Sequence, residues 1–528
     1  SAHTYEFYLM FTAPINTMPW SWYSAHRIYL IVIIVLAIQV PVAKHAIAES
    51  APVSPHYAAW LHHRYHITQP ALIGPSGLPQ PLSSPARRAT QSQRAVFGFL
   101  PYWISAEYYD SINFDLLTHI APFSVEVNPD GSLGEDHGWP WTALINRAHR
   151  HGVRVILTAT LFGDTDVHTL LNSETHRTRF MREIRDKIRA GRADGVIIDF
   201  EGPGLNGWPD QISDFLRTLT DYLHAEIPSS EVSFASPAID WGGRWDFARI
   251  AASCDYLFVM GYAFSGKWSS NTGPTAPLGG PGRTVSSLLE DDRDYSQVTR
   301  DHPEKLILGV PYYGCKWKTR SAEPGTSVQE FINYTRLRDA LPQAARWGAR
   351  WDARSQTAWY RYRDGEDWVQ VWYDNVESLR LKYELAMDKN LRGFGIWALG
   401  YEGRQTEPWQ LIEEVNGRRS STLVSTETTV PNDFTVALPY PNPFNASVEV
   451  RYHVPRPGRL QVDLYDVLGR RIHAWSQRTE SAGHARWHWD GQGRTGIETA
   501  SGIYTMQFHY FSDDGLLRSQ SRRVIQLR

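Results

Sequence analysis

An α/β chain built on a (β/α)8 barrel, with a small insertion late in the barrel and a separate β-sandwich at the carboxyl end, is the architecture this sequence predicts. Three observations carry that prediction. Eight short apolar runs recur across the middle of the chain, at 96–100, 120–124, 154–159, 195–199, 232–236, 256–260, 306–310 and 393–397. They lack polar alternation, as strands buried on both faces of a parallel sheet do. Amphipathic stretches such as 175–190 and 209–227 fit helices between them, and strands alternating with helices in this number close into a barrel. After residue 430 the pattern changes to short strands of alternating polarity. An open doubly wound sheet is the competing architecture, but no glycine-rich phosphate loop follows the first apolar run.

From the amino end, His26 and Arg27 precede an apolar run over 28–40, followed by Ala46, Ile47 and Ala48. At 13 residues the run is shorter than the about 20 that a membrane helix needs. Residues 1–48 are therefore expected to be a secretory signal region cleaved after Ala48, with Met18 as a candidate start; an uncleaved anchor is the alternative. Residues 49–93 hold five prolines between 70 and 85 together with Gly, Ser and Gln, the composition of a stiff, solvated linker. The barrel is expected over 94–415. A Ser/Thr-rich linker occupies 416–430, since seven of the ten residues 420–429 are Ser or Thr. The carboxyl-terminal module covers 431–528.

Within the barrel, the gap from Cys315 to Asp374 is too long for an ordinary connection. Strand-like stretches at 357–362 and 368–373 flank Asp364 and Gly365, which predicts a small α+β insertion after the seventh strand, walling one side of the barrel mouth.

Composition excludes several functions. The 528 residues carry 53 Lys+Arg against 56 Asp+Glu, a net charge of −3, so no nucleic-acid partner is held by overall basicity. Two cysteines, Cys254 and Cys315, exclude a disulfide scaffold and a four-cysteine zinc site; the strand assignment puts them at opposite ends of the barrel, as inert buried thiols. No metal cluster with ligand spacing appears and no cofactor is implied. The chain has 21 Trp and 26 Tyr, which serve either as core or as stacking surfaces for sugars.

Active groups of such barrels sit at the carboxyl ends of the strands. The fourth run ends in Asp199 and Glu201, two positions apart and so on one face, pointing into the mouth. Two carboxylates this close cannot both ionise freely, and one held protonated can act as a general acid. Asp194 has the opposite parity and is expected to cap or orient from below.

Asp194, Gly195, Asp199 and Glu201 together resemble the fourth-strand signature of glycoside hydrolase family 18, which includes chitinases, endo-N-acetylglucosaminidases and spore-cortex or peptidoglycan glucosaminidases. Met260 and Tyr262 at the end of the sixth strand, the segment 309–314 after the seventh and Trp397 at the end of the eighth are similar to that family's strand ends. Asp374, Ser378 and Lys382 resemble its cortex-lytic branch. The resemblance implies a retaining hydrolase of N-acetylglucosamine polymers working by substrate-assisted catalysis. Glu201 would protonate the glycosidic oxygen. Asp199 would hold the N–H of the substrate's 2-acetamido group while its oxygen attacks the anomeric carbon. Tyr262 would donate to that oxygen, and Trp397 would lie under the sugar beside Met260. Tyr102, Trp103 and Tyr313 are candidate further platforms, or rim packing. Ile197 stands where the family has Asp or Asn, and Ala263 where an Asp often follows Met-x-Tyr. A non-catalytic, lectin-like barrel is the alternative.

In the carboxyl-terminal module, the motifs at 440–445, 465–470, 500–504 and 524–528 resemble the Ig-like sorting domain of type IX secretion cargo. That resemblance implies export through the secretion machinery to the cell surface or medium. A retained sugar-binding sandwich using Trp475, Trp487 and Trp489 is the alternative. The protein is expected to be a monomer whose partner is a polysaccharide.

Overall fold

The computed structural model describes residues 54–527 apart from 75–76, 83–93, 203–206, 241–242, 292–293, 421–433 and scattered positions of the carboxyl-terminal module (438, 440–441, 446, 482, 494–497, 514 and 516). The expected signal region, 1–48, and residues 421–430 of the expected Ser/Thr linker lie outside the described residues, while 416–420 belong to the helix Glu407–Ser420. No helix among the described residues is long and apolar enough to cross a membrane.

Each of the eight apolar runs is a parallel strand. In order they are Ala95–Pro101, His119–Phe123, Arg154–Phe162, Gly195–Glu201, Glu231–Pro237, Tyr256–Met260, Leu306–Pro311 and Gly393–Trp397. The ring closes where the first strand pairs with the eighth, Ala95 opposite Gly393 and Phe97 opposite Gly395, and where the second pairs with the third, His119 opposite Arg154. The strands are buried along nearly their whole length, which is why they read as continuous apolar runs. Helices Glu174–Gly191 and Trp208–Glu226 flank the fourth strand and bury one stripe each, Phe180, Ile184 and Ile188 in the former.

The insertion between the seventh and eighth strands is a five-stranded antiparallel sheet with the helix Leu337–Trp347. Strands Thr357–Asp364 and Asp367–Tyr373 form its hairpin, turning at Gly365, whose φ of 62° suits glycine. Lys382, within the helix that follows, donates to Asp374 at the end of this sheet, both side chains being at most 1% exposed.

The carboxyl-terminal module packs a three-stranded sheet on a four-stranded one around its own core of Val450, Val462, Trp487, Trp489, Met506 and Phe508, among others. Trp487 and Trp489 are buried there, so they pack the sandwich and offer no face to a sugar. Cys254 and Cys315 are free, buried thiols.

One expectation fails. Residues 54–82 are not a solvated linker. They include a helix, Pro55–His63 (α1), and a turn of helix, Pro70–Ile73 (α2), and they run along the barrel wall. Leu72 and Leu82 are buried. The amide of Gln80 donates to Asn146 (2.6 Å), and the carbonyl of Gln80 accepts from His149 (2.5 Å). Pro55 and Pro70 start these helices: Pro55 occupies the first helical position after Ser54, whose hydroxyl accepts from the Tyr57 amide at 3.0 Å.

Candidate active site

The fourth strand aims Asp199 and Glu201 into the barrel mouth from the same face, and both stand in register with the third strand, Asp199 beside Thr160 and Glu201 beside Phe162. Asp199 is fully buried and Glu201 nearly so. Burial pushes the Asp199 carboxyl up to about 7, contact with Glu201 acting the other way. Glu201 is held well above the ordinary carboxyl range, first by burial and then by the charge of Asp199, with His56 opposing. A protonated Glu201 at neutral pH can donate a proton to a leaving oxygen. Two acceptors, Asp199 Oδ1 and Glu201 Oε1, are buried without a hydrogen-bond partner.

Tyr262 follows the sixth strand and is 1% exposed; burial drives its phenol pKa upward, so it stays a donor. Met260 ends that strand, buried. Trp397 ends the eighth strand at 1% exposure, with Phe123 and Phe99 edge-on to it at 4.9 and 5.5 Å. Tyr313 lies beside Tyr262 (6.2 Å between rings) and accepts from the Thr275 hydroxyl at 3.4 Å. Asp194 sits at the opposite end of the fourth strand, where its Oδ2 accepts from the Val155 amide (3.0 Å) and lies 2.9 Å from His149 Nε2. Tyr102 and Trp103 are both covered. Tyr102 stacks on His137 at 3.5 Å and donates to the His63 carbonyl at 3.0 Å, and Trp103 stacks on His63 at 4.6 Å.

Ile197 is fully buried one pleat below Asp199. In register with it stands Thr158, whose buried hydroxyl has no partner. Ala263 takes φ of 65°, a conformation L-residues adopt at a cost.

What spacing along the chain did not show is His56, 143 residues before Asp199. It projects from α1 into the site with no exposure. Burial lowers its pKa to about 4, the charge of Glu201 acting the other way, so its imidazole is neutral, with one donor and one acceptor nitrogen. Nδ1 lies 2.8 Å from Asp199 Oδ2, and Nε2 lies 2.8 Å from the Tyr262 hydroxyl. With Nδ1–H donating to the carboxylate and the phenol donating to Nε2, both bonds form at once. The ring lies 3.7 Å from that of Trp397. His56, Asp199 and Glu201 each bring a ligand atom within 4.8 Å of the others, but with both imidazole nitrogens engaged, none is free for a cation. The sequence signal that could have found α1 is Ser54-Pro55, a helix start ahead of an aromatic- and histidine-rich stretch.

The sequence profile described as "Glycosyl hydrolases family 18" matches residues 98–402, more than half of the chain. Among curated relatives, the "Putative sporulation-specific glycosylase YdhD" of Bacillus subtilis is 31% identical over 263 residues, 48% of this chain and 58% of that protein. The di-N-acetylchitobiase of Homo sapiens is 26% identical over 305 residues, 51% of this chain and 75% of that protein. Among solved structures, a chitinase from Cycas revoluta in complex with (GlcNAc)3 superposes with a TM-score of 0.54 at 23% identity, covering 61% of this chain and 99% of its own; at that identity the likeness is one of fold.

Proposed function

The chain belongs to glycosyl hydrolase family 18, the chitinase-type glycoside hydrolases, and on that premise we propose that it cleaves β-1,4 linkages of an N-acetylglucosamine polymer, chitin or peptidoglycan, with retention of configuration. The observation that carries this reading is the buried carboxyl pair on the fourth strand, with Tyr262 and Trp397 facing it. In the first step Glu201 gives its proton to the glycosidic oxygen as the bond to the anomeric carbon breaks. The oxygen of the substrate's own 2-acetamido group bonds to that carbon from the other face, forming an oxazolinium ion. Asp199 holds the acetamido N–H and balances the positive charge, and Tyr262 donates to the acetamido oxygen. Glu201, now a carboxylate, takes a proton from water, which opens the ring and regenerates the acid. Such substrate assistance replaces the second carboxylate nucleophile of most retaining enzymes. Trp397 supports the sugar ring from below.

Ile197 favours a second reading. Asp199 has no polar side chain at the position one pleat below it, and a barrel that binds the same polymer without turnover, as a lectin, is the result if Asp199 cannot cycle. We also propose that the carboxyl-terminal module directs secretion, so that the protein acts outside the cell or on its surface. That reading rests on the motifs of the module, two of which meet in the fold: the Asn442 side chain accepts from the Ile525 amide (2.7 Å) and donates to the Arg523 carbonyl (3.0 Å). Product analysis on chitin oligomers and on purified peptidoglycan, run side by side with the Glu201→Gln variant, tests the hydrolase reading. Products from one polymer that vanish in the variant support it; binding without products in either protein supports the lectin.

A further inference from the structure

A secondary amide and a neutral imidazole present the same pair of groups, one N–H donor and one acceptor. His56 uses that pair on Asp199 and Tyr262, each at 2.8 Å, and lays its ring against Trp397. It thus takes the two polar contacts and the aromatic platform that the proposed reaction assigns to the substrate's acetamido group and sugar. The contact is built rather than incidental. The Trp60 indole donates to Glu126 at 2.6 Å, and Tyr57 packs on Phe162 at 5.0 Å. His63, at the end of α1, stacks on Trp103 with the two planes 10° apart and accepts from Arg336 at 3.1 Å. Tyr102, Trp103 and Glu126, all at the mouth, are therefore occupied by this one segment. Substrate and segment cannot share these contacts.

We propose that residues 54–63 are a tethered pseudo-substrate that keeps the site closed until the segment is released. This proposal rests on the hydrolase reading of the site. Release follows from the layout of the chain. After α1 come exposed residues, with Tyr65 84% and Ile67 86% exposed, before Thr68 is pinned by its bond to the His137 carbonyl at 2.7 Å. Exposed chain of this kind is where proteases cut, and a cut there frees α1 from the barrel without touching any barrel strand. The apparent affinity for sugar scales with the open fraction of molecules, so opening raises it in proportion.

The test compares three forms of the full chain: the parent, His56→Ala, and the parent carrying a site-specific protease sequence inserted after Tyr65, ahead of the pinned Thr68, and then cut. Each is assayed for hydrolysis of (GlcNAc)4, and a labelled peptide of residues 54–66 is titrated onto the cut form by fluorescence anisotropy without sugar. We expect both opened forms to hydrolyse the oligomer at least about tenfold faster than the parent, by kcat/KM. The peptide should bind the cut form and inhibit it competitively, and the peptide with His56→Ala should bind at least about tenfold more weakly. Equal hydrolysis in all three forms would overturn the plug and leave the hydrolase standing. Peptide binding with no hydrolysis in any form would keep segment 54–63 as the occupant of the cleft and overturn the hydrolase reading on which its regulatory role rests. Failure of the peptide to bind, with no gain on cutting, would overturn the proposal outright. The cut form covers the case in which His56→Ala does not fold.

Discussion

Replacing Glu231 with glutamine removes a charge that the floor of the barrel is arranged to hold. Its carboxylate starts the fifth strand at 8% exposure. It meets Arg154 at 3.0 Å, His119 at 3.1 Å and Arg392 at 3.4 Å, and accepts from the Tyr256 phenol at 3.3 Å. Burial alone would raise its pKa; the cationic neighbours outweigh burial and hold it at about 2, against 4.5 for a free glutamate. A carboxyl depressed on folding stabilises the protein above its unfolded pKa and loses that contribution as pH falls toward the folded one. At 1.36 kcal/mol per unit, the depression corresponds to about 3 kcal/mol, fully present above about pH 5 and fading between pH 4.5 and 2. Glu231→Gln should therefore lower barrel stability by about 3 kcal/mol at pH 7, with Arg154 left short of its counter-charge. Urea denaturation followed by tryptophan fluorescence at pH 7, 5 and 3 reads the difference. A gap between parent and variant that closes toward pH 3 is expected. A gap of the same size at every pH, or none at pH 7, would refute the argument from the ion cluster.

Three further outcomes follow from the same packing. Ile197→Asn places an amide beside the unpartnered Thr158 hydroxyl and below Asp199, and should raise kcat or shift its pH profile in an opened form; an unchanged profile would mean that Asp199 cycles without help from that position. Lys382→Met leaves Asp374 buried without its cation and should cost about 3–5 kcal/mol, the usual scale for a broken buried pair, read as a lowered urea midpoint; an unchanged midpoint would contradict it. Truncation after Ser420 should leave a folded barrel with unchanged hydrolysis of short oligosaccharides, because the two cores are separate; lost activity in a folded truncation would show that the sandwich contributes to the site.

The barrel was legible because each strand is buried on both faces and so writes itself as an unbroken apolar run, with its chemistry concentrated at one end: Asp199 and Glu201 on the fourth, Tyr262 after the sixth, Trp397 on the eighth. The insertion was legible from its hairpin turn at Gly365. The segment over 54–82 was not. Its prolines suggest extended chain by composition, and α1 contacts the barrel through His56, Tyr57, Trp60 and His63, a set at helical spacing whose two buried members are polar histidines and so do not read as a core stripe. Its partners lie at the ends of barrel strands hundreds of residues further along the chain, from Tyr262 to Trp397, so only folding brings them together. The same contacts explain why Tyr102 and Trp103, read from the sequence as sugar platforms or rim packing, are covered.

The central claim is that Glu201 is the proton donor of a glycosidase. The direct measurement is the rate of (GlcNAc)4 hydrolysis by the form cut after Tyr65, with and without Glu201→Gln, alongside the affinity of each for the same sugar. A loss of at least about a hundredfold in kcat, the scale of a positioned general acid, is expected, with affinity retained. Hydrolysis by the variant within a few-fold of the parent would contradict it.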